Sequence, residues 1–149
     1  MRHKSISAAF KGSSSHCSKN QLDFIPELLK TFDIAEVHQR LSRPSEIEFA
    51  SKLVSLANDT NIVEYRYYDI DGYMMDNTIR RSRVIWIHEH DNINELLLNN
   101  TQLLVAFPDN NERYGDVWAL INKAISKRKD LVIVNPDGSR VVYGYTIIN

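Results

Sequence analysis

The sequence predicts an α/β domain of three layers, with a mostly parallel sheet and an antiparallel strand at its C-terminal edge. Three observations predict it. Thr101 to Pro136 reads as strand, loop, helix, strand, and a crossover of that kind makes its two strands parallel. The same alternation runs upstream, giving the order βαβαβαβαββ, the pattern of helices that cover both faces of a sheet. Pro136-Asp137-Gly138 leaves room only for a tight turn before the last apolar-rich run, so that run returns antiparallel to its neighbour.

The elements follow in order. Ile6, Ala8 and Phe10 alternate with Ser5, Ser7 and Ala9, a first strand over Ser5 to Phe10. Lys11 to His16 is a small, hydroxyl-rich turn. A helix from about Lys19 puts Leu22, Ile25, Leu28, Leu29 and Phe32 on one face. Ile34 to His38 is a short second strand. Ser42-Arg43-Pro44-Ser45-Glu46 marks a helix start, where proline is tolerated. Ile47, Ala50, Leu53, Val54 and Ala57 line that helix until Asn58-Asp59. Asn61 to Tyr68, rich in β-branched and aromatic residues, is a third strand, and Asp69-Ile70-Asp71-Gly72 turns away from it.

Two patterns compete from Asp76 to Asn100. Ile79, Arg83, Trp86, Ile87, His90, Ile93 and Leu97 fit one long helix, whereas Val84-Ile85-Trp86-Ile87 fits a strand. The helix is expected over Arg83 to His88 as well, because the next parallel strand needs a crossover. On a helix His88 and His90 point about 200° apart, so no metal site is expected.

Leu103 to Phe107 is a continuous apolar run stopped by Pro108, a strand buried on both faces. Val117, Leu120, Ile121, Ala124 and Ile125 then recur at helical spacing, with Lys127 and Arg128 where the helix dipole favours cations. Leu131 to Val134 is another buried strand. Arg140 to Ile148 is the final one, an edge open to pairing with a second copy, so a homo-oligomer is expected.

A chain of 149 residues with 43% apolar content is expected to form one domain over residues 1–149. A formal net charge of −1 argues against nucleic acid or an anionic membrane as partner. No apolar run has the length of a signal peptide or approaches the ~20 residues of a membrane span. The single cysteine, Cys17, forbids an internal disulfide and fits a reducing compartment, so a cytoplasmic location is expected. No cofactor is implied.

Ligands of open parallel sheets bind beyond the carboxyl ends of the strands. Gly12, Ser13, Ser14 and Ser15 follow the first strand, where backbone N–H groups and hydroxyls cradle phosphate, or form an ordinary polar loop. Asp109, Asn110, Asn111 and Gly115 would line the opposite wall. Asp116 and Glu112 are the candidate catalytic carboxylates, able to take ribose hydroxyls or to act at a glycosidic carbon. Asp116 reads equally well as a helix cap and Glu112 as a solvated loop residue. Arg80 and Arg81 are candidate phosphate partners, or solvated charges. Trp86 and Trp118 sit at core-compatible helical positions. Cys17 lies near a helix start beside His16, and no other acid–base partner adjoins it in sequence.

Asn99 to Pro108, then Gly115-Asp116, then a helix and Asp130 to Val134, together with Asn77-Thr78-Ile79-Arg80-Arg81 upstream, resemble the SLOG-type Rossmann-like superfamily. That superfamily includes the DNA-processing protein A group and the cytokinin-activating phosphoribohydrolases; the nucleoside deoxyribosyltransferase-like proteins are near neighbours. The resemblance covers most of the chain as topology. It implies a pocket for a nucleotide or nucleotide-derived small molecule above the sheet. The family's glycine-rich loop is replaced here by Asp109 to Asp116, which keeps only Gly115. The expected function is therefore binding of such a molecule, as a sensor or sequestering protein. The alternatives are an N-glycosidic hydrolase or transferase working through a carboxylate, and an interaction module using Tyr65 to Tyr68 and Tyr143 to Tyr145 as its surface.

Overall fold

The computed structural model describes residues 5–68 and 79–148. The expected turn Asp69 to Gly72, the helix start at Asp76 and the motif residues Asn77-Thr78 lie outside them. The elements are β1 (Ile6–Gly12), α1 (Lys19–Thr31), β2 (Ile34–Gln39), α2 (Pro44–Leu56), β3 (Asn61–Tyr67) and β4 (Arg83–Ile87). They continue with α3 (Ile93–Asn99), β5 (Leu103–Phe107), α4 (Asp116–Ser126), β6 (Asp130–Val134) and β7 (Arg140–Tyr143).

The strands form one sheet in the order β4-β3-β2-β1-β5-β6-β7. All neighbours are parallel except β6 and β7. This is a Rossmann-like arrangement of three layers. Strand alternation sorts the core into two halves. Ile6, Ala8, Phe10, Leu103, Val105 and Phe107 meet Phe24, Ile25 and Leu28 of α1 and Phe49, Ala50 and Leu53 of α2. Ala9, Leu104, Ala106, Leu131 and Ile133 face the other way, onto Leu97 and Leu98 of α3 and Val117, Leu120 and Ile121 of α4. The chain begins at the sheet centre, runs outward through β2, β3 and β4, then crosses to β5 on the far side of β1. The strand order reverses at β1 and β5, and their carboxyl ends frame a crevice.

Several expectations are corrected. Arg83 to His88 is not helical: β4 pairs parallel with β3, Tyr65 opposite Ile85 and Arg66 opposite Trp86. Asp91 and Asn92 separate strand from helix, since Asp91 accepts from the His88 N–H at 2.8 Å and Asn92 caps α3 by accepting from Glu95 N–H at 3.2 Å. The crossover that suggested one long helix is supplied by the shorter α3. Trp86 consequently stands 38% exposed on an edge strand instead of in the core, whereas Trp118 is buried. The rings of His88 and His90 stack at 5.4 Å, and no group of three or more His, Cys, Asp or Glu is placed to hold a metal among the described residues.

The last strand is also shorter than expected. It ends at Tyr143, because the chain then folds back over the sheet edge. A Cβ on Gly144 would stand 2.3 Å from the Ile148 carbonyl oxygen, so only glycine permits that close approach. Tyr65 is no surface residue: it is 1% exposed, and its hydroxyl meets His38 Nδ1 at 2.8 Å and the Asn100 amide at 3.1 Å. Among the described residues no helix is long and apolar enough to cross a membrane.

Candidate functional site

The crevice is built from the loops that follow β1 and β5 and from the first turn of α2. Gly12 closes β1, and its lack of a side chain is a packing requirement. A Cβ there would lie 2.2 Å from Ser45 Oγ and 2.8 Å from Ser45 Cβ. Ser45, one residue into α2, donates to the Ser13 carbonyl at 2.5 Å and so pins the loop to the helix start. Gly12→Ala is expected to cost about 1–3 kcal/mol through this overlap. Ser45→Gly in the same chain should restore part of the loss; urea unfolding of the wild type and the two variants checks it.

Ser13 is buried and its Oγ accepts from the Ser15 N–H at 3.2 Å, while Ser14 and Ser15 are exposed. On the opposite wall Asn110 organises its loop. Its amide donates to Asp109 at 2.8 Å and to the Tyr114 carbonyl at 3.3 Å, and its Oδ1 accepts from the Glu112 N–H at 3.0 Å. Its own carbonyl accepts from Trp118 Nε1 at 2.9 Å. Asp109, Asn111 and Glu112 are exposed. Gly115, at φ 99°, takes the cap position of α4 in a conformation suited to glycine.

Asp116 begins α4 and reaches across the crevice. Its Oδ2 takes a hydrogen bond from Arg43 Nη2 and lies 3.8 Å from Lys11 Nζ. Arg43 Nη1 also donates to the Gly12 carbonyl at 3.1 Å. One guanidinium therefore ties α2 to β1 and to α4. Burial works against ionisation of Asp116, yet the Arg43 and Lys11 charges and the Val117 N–H outweigh it and hold its carboxyl below the usual range. Burial pulls the Lys11 ammonium below its ordinary value, with Asp116 acting in the opposite sense.

Beside this cluster is a pocket of about 200 Å³ lined by Lys11, Arg40, Ser42, Arg43, Tyr67 and Ile93. The Arg40 guanidinium lies 4.7 Å over the Tyr67 ring. Glu46 reaches the same pocket, but its Oε1 accepts from the backbone N–H groups of Ser42 and Arg43 at 3.1 and 2.8 Å and from the Ser42 hydroxyl. Its charge is thus committed to the start of α2. A larger hollow of about 530 Å³ lies on the outer faces of α1 and α2, lined by Lys19, Asp23, Ser51 and Lys52 among others, away from any strand end.

Gly12 and Asp116 are therefore brought together through Arg43, and Ser13 is held beside Gly12 by Ser45. Arg80 and Arg81 are not. Arg80 donates to the Thr60 carbonyl at 3.3 Å, at the amino end of β3, and Arg81 Nε lies 2.7 Å from Glu64 within the β3 face. Cys17 is no nucleophile: burial and the neighbouring Glu48 push its thiol up to about 12, so it stays protonated. The sequence reading missed Lys11, Arg40, Ser42, Arg43 and Tyr67. One signal was present. Arg43 occupies a helix cap, a position that favours Ser, Thr, Asp or Asn, and an arginine there has its side chain engaged elsewhere.

Compared with protein-family models, curated proteins and solved structures, the chain matches none.

Proposed function

We propose that the protein binds a nucleotide or nucleotide-derived small molecule in the crevice between β1 and β5, without turnover, as a sensor or sequestering protein. One observation carries this reading. Two cations from separate elements, Lys11 and Arg43, converge on the point where the strand order reverses, the place where open α/β sheets take ligands. The adjoining pocket of about 200 Å³ suits a phosphate with its sugar; the base would rest outside, against the loop from Asp109 to Gly115. The resemblance noted in the sequence implies the same ligand class.

The glycosidase reading has one point in its favour. Asp116 is held ionised, as a carboxylate acting at a glycosidic carbon must be. Its tie to Arg43 makes it a poor nucleophile, however, and Glu112 is exposed on the loop.

The experiment is a thermal-stability screen with nucleosides, nucleotides, ADP-ribose-like compounds and cyclic nucleotides, with chromatography of each hit. A ligand at a hundred times its Kd adds about 2.7 kcal/mol to stability, a rise of several degrees in midpoint. Lys11→Met is expected to weaken binding of a phosphate-bearing hit at least tenfold, which isothermal titration measures. Unchanged ligand supports a sensor. A released base, lost on Asp116→Asn, would establish the glycosidase. No hit, or a hit indifferent to Lys11→Met, would sink the pocket.

A further inference from the structure

We propose that the position held by the Asp116 carboxylate, between Lys11 and Arg43, is the seat of a phosphate group, and that Asp116 is its resident competitor. The inference rests on the ligand pocket argued above and goes beyond it by assigning the anion and its regulation.

The geometry of Lys11 leads to this assignment. The residue is 9% exposed and lines the pocket. Its stem is buried while its ammonium keeps contact with solvent, and a charge so placed is favoured by an anion within hydrogen-bond reach. Among the described residues its ionic partner is Asp116, whose oxygen stands 3.8 Å away, beyond hydrogen-bond reach. That same oxygen is already taken by Arg43. One carboxylate oxygen thus serves two cations and bonds only one of them. The second carboxylate of the pocket, Glu46, is occupied by the α2 start.

A phosphate monoester completes what Asp116 leaves incomplete. It carries about −1.5 to −2 charge at pH 7 and three acceptor oxygens. One oxygen can bond the Lys11 ammonium while the others meet the planar guanidinium of Arg43. Neutral sugars and bases offer neither the charge nor the spread of oxygens. Asp116 is free to yield, since its side chain is 50% exposed. Turned to solvent at the start of α4, it still faces the positive end of the helix dipole. Both anions cannot occupy the seat together, so ligand affinity is set by their competition.

The competition makes an unusual forecast: removing a carboxylate from the site strengthens binding. Isothermal titration at constant ionic strength, with inorganic phosphate and ribose 5-phosphate as probes, tests it on the wild type, Asp116→Asn, and Asp116→Asn with Lys11→Met. Asp116→Asn is expected to tighten both probes about tenfold, and Lys11→Met to abolish the gain. Tighter binding of ribose 5-phosphate than of inorganic phosphate would identify a sugar phosphate as the ligand; equal binding would identify free phosphate. Should Asp116→Asn fail to fold, Asp116→Ser keeps an oxygen for the helix start and carries the same expectation. Unchanged or weaker phosphate binding in the Asp116 variant overturns the competitor. If Lys11→Met still weakens nucleotide hits in that event, the pocket survives. If Lys11→Met changes nothing, seat and pocket fall together.

Discussion

Replacing Glu64 with glutamine is expected to destabilise the protein by about 3–5 kcal/mol, the cost of leaving a buried charge without its partner. Glu64 lies on β3, 5% exposed, between two arginines. Its carboxylate oxygens stand 2.8 Å from Arg66 Nε and 2.7 Å from Arg81 Nε. Arg66 is 1% exposed, as deep as many aliphatic residues of the core. The contacts are close but not aligned as hydrogen bonds: Arg66 Nε and Nη1 and Glu64 Oε1 are buried without a well-directed partner. What ties Glu64 to Arg66 is therefore chiefly Coulomb attraction, which a glutamine does not supply. Arg66 also lies 5.9 Å over the Trp86 ring, a weaker attraction that survives the substitution.

A buried ion pair has already lost its hydration, so replacing both partners with apolar residues removes the cost along with the attraction. Glu64→Leu combined with Arg66→Met leaves only the less buried Arg81 charged and should recover part of the stability lost in Glu64→Gln. Urea unfolding of the wild type, the single and the double variant measures this. A single variant within about 1 kcal/mol of the wild type would mean that Arg66 is better solvated than its burial implies.

Why some of this was legible beforehand and some was not is itself physical. Leu103 to Phe107 and Leu131 to Val134 were readable because a central parallel strand is apolar on both faces and needs breakers at its end, here Pro108 and Asn135-Pro136. The helix from Asp116 was readable because its Val117, Leu120, Ile121 and Ala124 all serve one core. Arg83 to Ile87 failed because an edge strand is buried on less of its surface. Trp86 and Arg83 are exposed, which blurs period-two alternation into something a helical wheel also accepts. That error carried Arg80 and Arg81 with it, placing them at a helix start instead of along β3.

The candidate site divides in the same way. Gly12, Ser13 and Asp116 were named as candidates from topology, since ligands of open parallel sheets bind beyond the strand ends. Lys11 and Arg43 were not, because their role exists only through contact with Asp116, 105 and 73 positions away along the chain. Local pattern offers a lysine after an apolar run no reason to be buried. Only closure of the sheet, with β5 set beside β1, creates the low-dielectric crevice that makes its charge consequential.

Substituting Asp130 with asparagine is expected to cost about 3 kcal/mol and to release the chain beyond Gly144. Asp130 opens β6 and is 2% exposed. Its Oδ1 accepts from the N–H groups of Tyr145 and Thr146, both at 2.8 Å, and its Oδ2 from those of Ile147 and Ile148 at 2.6 and 2.8 Å. Four successive backbone donors thus converge on one carboxylate, and Ile147 and Ile148 pack against the core that the sheet forms with α1 and α2. Bonds to a charged acceptor contribute about 1.5–3 kcal/mol each, but a freed segment regains water and chain entropy, so the net loss falls well below their sum. An asparagine can accept at its oxygen while its amide nitrogen opposes the remaining two donors. Burial alone would raise the Asp130 carboxyl, and the four N–H groups outweigh it and lower the pKa. The sign follows from that depression. The contribution is fully present above the unfolded carboxylate value, about 3.9, and is lost as pH falls through the lower folded value. The difference in unfolding free energy between wild type and Asp130→Asn should accordingly be constant from neutral pH down to about 4 and shrink below it. A chain shortened to Gly144 should be destabilised to a similar degree, and Asp130→Asn should add little to it, because both remove one interaction. Additive losses in the double variant would show that Asp130 stabilises the sheet edge by some other route.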